Sequence, residues 1–235
     1  MMNSWERYRE IKRCFGEEWL DNPENQMHPI IDRGNEQFLG QLDNYLKDIS
    51  CNTKFSHRLK IHFWGVYYEL EIAFYLRKIG LNCKLHECVG GVETDLFLQQ
   101  ENIVIEVTHL SPHHSVKGKL VHFKPKAVGE GARFRWVHER RYLKVLNMER
   151  MRKYINRKSF QNVFPTIICF CTEGRKPKGD CRDLMDLIND EENPVRKEIS
   201  ALAAWHIPEI TCCYMNPYGR KLELKSNQLK KFFKI

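Results

Sequence analysis

Two carboxylates set inside strand-forming runs constrain this chain more than any other feature. Gly90-Gly91-Val92-Glu93-Thr94-Asp95 leads into Leu96-Phe97-Leu98, and Asn102 leads into Ile103-Val104-Ile105-Glu106-Val107-Thr108. Both apolar runs favour strands, and the polar Gln99-Gln100-Glu101-Asn102 between them suits a turn. With Gln100 and Glu101 as a two-residue loop, Gln99 faces Asn102, Phe97 faces Val104 and Asp95 faces Glu106. Like charges opposed on a sheet repel, and buried acids need a partner. A bound cation meets both demands. The pleat puts Thr108 on the face of Glu106, so Asp95, Glu106 and Thr108 form a compact candidate site. The plainer alternative is a hairpin with a solvated outer face.

The residues before the hairpin favour the site. Phe63, Val66, Tyr67, Leu70, Ala73, Phe74 and Leu76 recur at helical spacing and predict a helix from Ser56 to Ile79. Gly80 closes it, with Arg77 and Lys78 in the last turn suiting the carbonyl end of the dipole. Glu69 shares the stripe of Ala73 and Leu76. A carboxylate on the packed side of this helix is a further candidate for the same cation, with Glu69 ahead of Glu71.

Beyond the hairpin the chain turns basic. Between Lys117 and Lys178 there are seventeen Lys and Arg against four Glu, so this stretch carries +13 of a formal net charge of +8 and the rest carries −5. Lys117, Lys119, Lys124, Lys126, Arg133, Arg135, Arg141, Arg150 and Lys153 are the candidate nucleic-acid contacts, alongside Arg140, Arg152, Arg157 and Lys158. Such residues neutralise phosphates, and the interleaved Phe123, Phe134, Trp136, Tyr142 and Tyr154 offer surfaces for unpaired bases. A helix is expected from Val137 to Lys158, with Leu143, Leu146 and Met151 as core contacts. Ser111 to Ala132 lacks periodicity and holds Pro112, Gly118, Pro125, Gly129 and Gly131, which predicts a long loop leaving the candidate site. His109, His113 and His114 stand at its start.

Other function classes lack support. The chain has no P-loop, Rossmann glycine pattern, serine nucleophile elbow or fixed-period repeat. No apolar run approaches the roughly twenty residues that span a bilayer, so a soluble protein without a membrane partner is expected. The nine cysteines form no paired C-x-x-C framework, and Cys169, Cys171, Cys212 and Cys213 fall in apolar runs that read as strands, where small core residues are expected. An odd count without a signal peptide favours a reducing cytoplasm.

Trp5 to Phe15 and Asn35 to Ile49 predict two helices, with a turn at Asn22-Pro23-Glu24-Asn25 between them. Later, Asp183 to Ile188 and Arg196 to Trp205 read as helices, and Thr166 to Thr172, Ile210 to Met215 and Lys221 to Leu224 as strands. The expected division is a helical extension over residues 1–55 and an α/β domain over residues 56–235, together forming one compact unit.

A helix bearing Glu69, a strand from Asn82 to His86, a strand at Asp95, a strand with Glu106-Val107-Thr108, then a basic helix and a further strand: this order resembles the PD-(D/E)XK nuclease superfamily. The resemblance spans Leu59 to Thr172. It implies the restriction-endonuclease-like fold, an αβββαβ core with a mixed central sheet flanked by helices. Glu69 matches the helix acid, Asp95 the strand aspartate and Glu106 the acid of the last motif. Thr94 stands in the place of the motif proline and Thr108 in that of the lysine. A threonine brings no positive charge, and Lys153, Lys117 and Lys119 are alternative sources of the lysine.

The activity implied is metal-dependent endonuclease cleavage of phosphodiester bonds, in DNA ahead of RNA. Mg²⁺ or Mn²⁺ would be held by Asp95, Glu106 and Glu69, and Thr108 would bond the nucleophile or a phosphate oxygen. The alternative is a non-catalytic nucleic-acid-binding module with the same fold. A homodimer suits cleavage of two strands.

Overall fold

The computed structural model describes residues 5–26, 28–32, 36–47, 49–110, 149–172, 178–206 and 209–235. The chain divides into two compact units, Met1–Leu81 and Asn82–Ile235. The helical stretch bearing Glu69 belongs to the first.

The first unit is helical: α1 (Arg9–Phe15), α2 (Glu17–Leu20), α3 (Pro29–Asp32), α4 (Glu36–Leu46), α5 (Thr53–Ile61) and α6 (Phe63–Lys78). A 3₁₀ turn over Trp5–Arg7 precedes α1, and another covers Pro23–Asn25 at the expected turn. α1 packs on α4 and α5, and α6 packs on α4 and α5. Ile11, Leu42, Leu46, Leu59, Leu70, Ile72 and Leu76 are fully buried. Asp43 on α4 accepts the backbone N–H groups of Glu10 (2.8 Å) and Ile11 (3.0 Å), supplying to α1 the cap that Tyr8 lacks. Asn52 caps α5 through Phe55 N–H at 2.9 Å.

The single helix predicted over Ser56 to Ile79 is two helices, broken at His62 (φ −114°, ψ 42°). The apolar stripe gave no sign of the break. Leu59, Phe63 and Val66 continue it at spacings of four and three, so one residue leaving the helical region does not disturb the pattern.

The second unit is an α/β structure with a mixed sheet in the order β1-β4-β5-β6-β7-β8. The strands are β1 (Cys83–Leu85), β4 (Leu96–Leu98), β5 (Ile103–Leu110), β6 (Thr166–Thr172), β7 (Ile199–His206) and β8 (Glu209–Met215). A separate two-stranded ribbon pairs β2 (Cys88–Val89) with β3 (Val92–Glu93). Gly90 and Gly91, both at positive φ, make its turn, as a two-residue hairpin loop requires. β5, β6 and β7 run parallel, and the outer pairings are antiparallel. Helices α7 (149–157) and α8 (Lys178–Ile188) connect the parallel strands. Met151, Ile155 and Phe160, with Leu184, Leu187 and Ile188 of α8, pack on Ile168, Phe170, Leu202 and Ala204 of the sheet. The short α9 (Asn227–Phe233), capped by Ser226, packs on β8. Among the described residues, no helix is long and apolar enough to cross a membrane.

Three expectations are corrected. Arg196 to Trp205 is strand β7 with its approach, not a helix: its alanines favour helix in isolation, but Ser200 to Trp205 are buried between two neighbouring strands, and that burial decides. Lys221 to Leu224 forms no strand. Cys212 is not an unbonded core residue, because it is joined to Cys181, and Cys14 to Cys51. Cys169 and Cys171 are buried as expected and form no disulfide among the described residues. Of the predicted helix Val137 to Lys158, only the part from residue 149 lies within the described residues.

Phe170 sits beneath both helices of the α7–α8 layer. Phe170→Ala is expected to cost about 3–5 kcal/mol, read as a lower urea midpoint with an unchanged slope. An unchanged midpoint would contradict this packing.

Candidate functional site

The hairpin has the register read from sequence: Leu96 pairs with Ile105, Phe97 with Val104 and Leu98 with Ile103. The turn covers all of Gln99–Asn102 rather than two residues, and Asn102 takes a left-handed conformation (φ 56°), which asparagine tolerates better than most residues. Because β4 begins at Leu96, Asp95 lies just beyond its ladder, and its Oδ2 accepts the Val107 N–H at 2.8 Å. A side chain thereby does the work of the next ladder bond. The Thr94 N–H and hydroxyl both donate to the Glu87 carbonyl, at 2.9 and 3.0 Å, bonds that a proline at this position could not supply.

Asp95 and Glu106 are both buried, Glu106 to 1% exposure. The cation that this pairing demands is Lys158. Its Nζ donates to Asp95 Oδ2 at 3.1 Å and also to Glu106 Oε2. It follows directly on α7, where its N–H closes the last turn on the Tyr154 carbonyl at 3.1 Å and its own carbonyl accepts from Arg196 Nη1 at 3.0 Å. The ammonium lies 5.4 Å from the centre of the Tyr154 ring, a cation–π distance.

Burial, and next the charge of Asp95, push the Glu106 carboxyl up to about 8 against the opposing pull of Lys158. Burial alone would lower the Lys158 ammonium, but Asp95, Tyr154 and Glu106 outweigh it and raise it. Lys158 therefore stays charged while Glu106 retains a proton near neutrality. Glu106 Oε1 is buried with no hydrogen-bond partner among the described residues. An orphaned buried acceptor of this kind costs about 1–3 kcal/mol.

The remaining predicted residues are distributed as follows. Thr108 follows Glu106 on β5, is half-buried and makes no side-chain hydrogen bond among the described residues. Glu69 lies on α6 in the first unit, 3% exposed, and accepts from Arg58 Nη2 at 3.1 Å. Glu71, fully buried on the same helix, accepts from the Tyr45 hydroxyl at 3.0 Å. Lys153 does not reach the acids; it pairs with Glu149 at 2.6 Å on the surface of α7. Arg150 is half-buried. Lys117, Lys119, Lys124, Lys126, Arg133, Arg135 and Arg141 lie outside the described residues, as do His113 and His114.

Sequence counted Lys158 among the basic residues suited to phosphate and brought neither it nor His86 to the acid pair. The signal for Lys158 was present, since Met151, Ile155 and Lys158 form one helical stripe and the first two are core residues. His86 borders the acid pair. It follows β1 at φ 54°, donates its N–H to the Asp95 carbonyl at 3.0 Å and brings a ring nitrogen within 4.8 Å of an Asp95 carboxylate oxygen.

The hard-oxygen character of Asp95 and Glu106 and the orphaned Oε1 fit a divalent cation such as Mg²⁺ or Mn²⁺. No family model matches the chain, and neither does any curated protein or solved structure.

The proton on Glu106 has a signed consequence for stability. The group binds its proton near pH 8 when folded and near its ordinary 4.5 when unfolded. The stabilisation is full below pH 4.5 and is lost as pH rises through 8, with a slope of up to about 1.4 kcal/mol per pH unit. Urea unfolding in EDTA from acid to alkaline pH is expected to show this decline in the wild type and a flatter profile in Glu106→Gln. Parallel profiles would contradict the assignment.

Proposed function

We propose that the second unit is a metal-dependent nuclease centre that hydrolyses phosphodiester bonds, in DNA ahead of RNA. The observation that carries the reading is Lys158, whose ammonium bridges Asp95 Oδ2 and Glu106 Oε2 while Glu106 Oε1 stands buried and unsatisfied. A positive charge beside two acids is what Thr108 cannot supply, and here it comes from the helix after the hairpin. The proposal is confined to residues of the second unit.

Asp95 and Glu106 would hold Mg²⁺ or Mn²⁺, aided by the Val107 carbonyl. The ion, when bound, would acidify a water and neutralise charge on the phosphate. Asp95 is fixed for that task by the Val107 N–H, so its carboxylate needs little reorganisation. Glu106 would give up its proton to become a ligand, which makes metal affinity rise with pH. Lys158 would turn an N–H from the carboxylates to the attacking water or to a phosphate oxygen. Thr108, further along the same face, would donate to that phosphate.

A second reading also draws on Lys158. As an internal counter-ion it satisfies the acids without any metal, which suits a binding module that has lost catalysis. Incubation with duplex DNA, single-stranded DNA and RNA, in Mg²⁺, Mn²⁺ or EDTA, separates the two. The proposal expects metal-dependent cleavage that falls by about 10²-fold or more in Asp95→Asn, Glu106→Gln and Lys158→Met. Salt-sensitive binding without cleavage under any metal would select the binding module, and cleavage unaffected by these variants would refute the site.

A further inference from the structure

The last turns of α7 carry a second feature next to the acid pair. Lys153, Tyr154, Arg157 and Lys158 line an open depression of about 350 Å³, at the small end of ligand pockets, which run about 300–1,000 Å³. The four residues fall on two adjacent helical ridges, because positions four apart are neighbours on a helix. Tyr154 and Lys158 make the inner ridge, which adjoins Asp95 and Glu106. Lys153 and Arg157 make the outer one, and both are exposed.

The bonding of these cations differs in a way that points to a ligand. Arg152, on the same helix, is held by Asp190 and by the Asn193 carbonyl. Lys158 gives two N–H groups to the acids and keeps a third. Among the described residues Lys153 has only the solvent-exposed Glu149, a pairing of little energetic weight. Arg157 makes no hydrogen bond or ion pair among the described residues. A guanidinium whose five donors are uncommitted among the described residues thus stands on the rim of a small basic depression. A second depression, beside Lys197 and Tyr218, has its guanidinium committed: Arg220 donates to the carbonyls of Asn162 and Val163.

We propose that the Lys153–Arg157 depression binds a phosphodiester group of a nucleic-acid strand directly beside the Asp95–Glu106 pair, with Arg157 as the principal ligand and Lys153 as its partner. The choice of nucleic acid as the polyanion rests on the nuclease reading; the phosphate chemistry rests on the depression itself. Arg157 suits two oxygens of one phosphate through its planar fork, and Lys153 adds a mobile point charge. The contact would set the strand's position along α7 without reading its sequence.

The test is equilibrium binding of short labelled duplex DNA, single-stranded DNA and RNA, by fluorescence anisotropy in EDTA between about 50 and 200 mM salt. The Lys153→Ala/Arg157→Ala double variant is expected to bind about tenfold or more weakly and to lower the steepness of the log–log salt dependence by about 2. The exposed pair Lys230→Ala/Lys231→Ala on α9 removes the same charge elsewhere and is expected to change affinity by less than about twofold. Thermal unfolding confirms that both variants fold. Loss on any of the three probes supports the site and identifies the polyanion. Equal losses from both double variants, an unchanged salt dependence, or absence of binding by the wild type would overturn it. The nuclease reading fails separately: specific loss of binding with no cleavage in metal keeps this site and removes that activity, whereas metal-dependent cleavage with binding indifferent to Lys153 and Arg157 does the reverse.

Discussion

A single ammonium group between two carboxylates sets the terms for the second unit. Asp95, just before β4, and Glu106, on the neighbouring β5, meet at one ammonium, and both are withdrawn from water. Without Lys158 that arrangement would combine like-charge repulsion with the desolvation of two ions. Lys158 cancels part of both costs, and the proton that Glu106 holds to about pH 8 removes most of the rest. The sheet can then keep Glu106 in mid-strand, paired in register with Ile168 of β6.

The ammonium depends in turn on how α7 ends. Met151 and Ile155 fix the rotation of the helix against the sheet, and Phe160 anchors the chain just past it. Arg196 accepts no role in the acid pair itself. It holds the Lys158 carbonyl, lies over the Phe160 ring at 5.3 Å and is restrained by Glu198 at 3.0 Å. Packing energy in the core is thus converted into the position of one charged atom, which is how a rigid scaffold supports a functional centre.

The hairpin was legible because its information is local. Alternation and turn chemistry put Phe97 opposite Val104, and the same register brings Asp95, just before the ladder, to the ammonium that Glu106 shares. Lys158 was not brought to the acid pair because its partner lies 52 residues away, and a basic run offers many lysines that differ only in helical phase. Phase would have favoured Lys158 over Lys153, since Lys158 continues the stripe of Met151 and Ile155. β7 was misread for a different reason: alanine-rich sequence favours helix until a neighbour on each side supplies a ladder. The break at His62 and the Cys181–Cys212 link leave no periodic trace at all.

The dependence of the acid pair on Lys158 is open to a direct measurement, a double-mutant cycle on folding stability with Lys158→Met and Glu106→Gln, in EDTA at a pH above 8. If Lys158 is the counter-ion of Glu106, Lys158→Met strongly destabilises the protein when Glu106 is present and does so far less in the Glu106→Gln background. The expected coupling is about 2–4 kcal/mol, as for the loss of one partner of a buried pair. A coupling below about 0.5 kcal/mol, the scale of independent sites, would contradict the account.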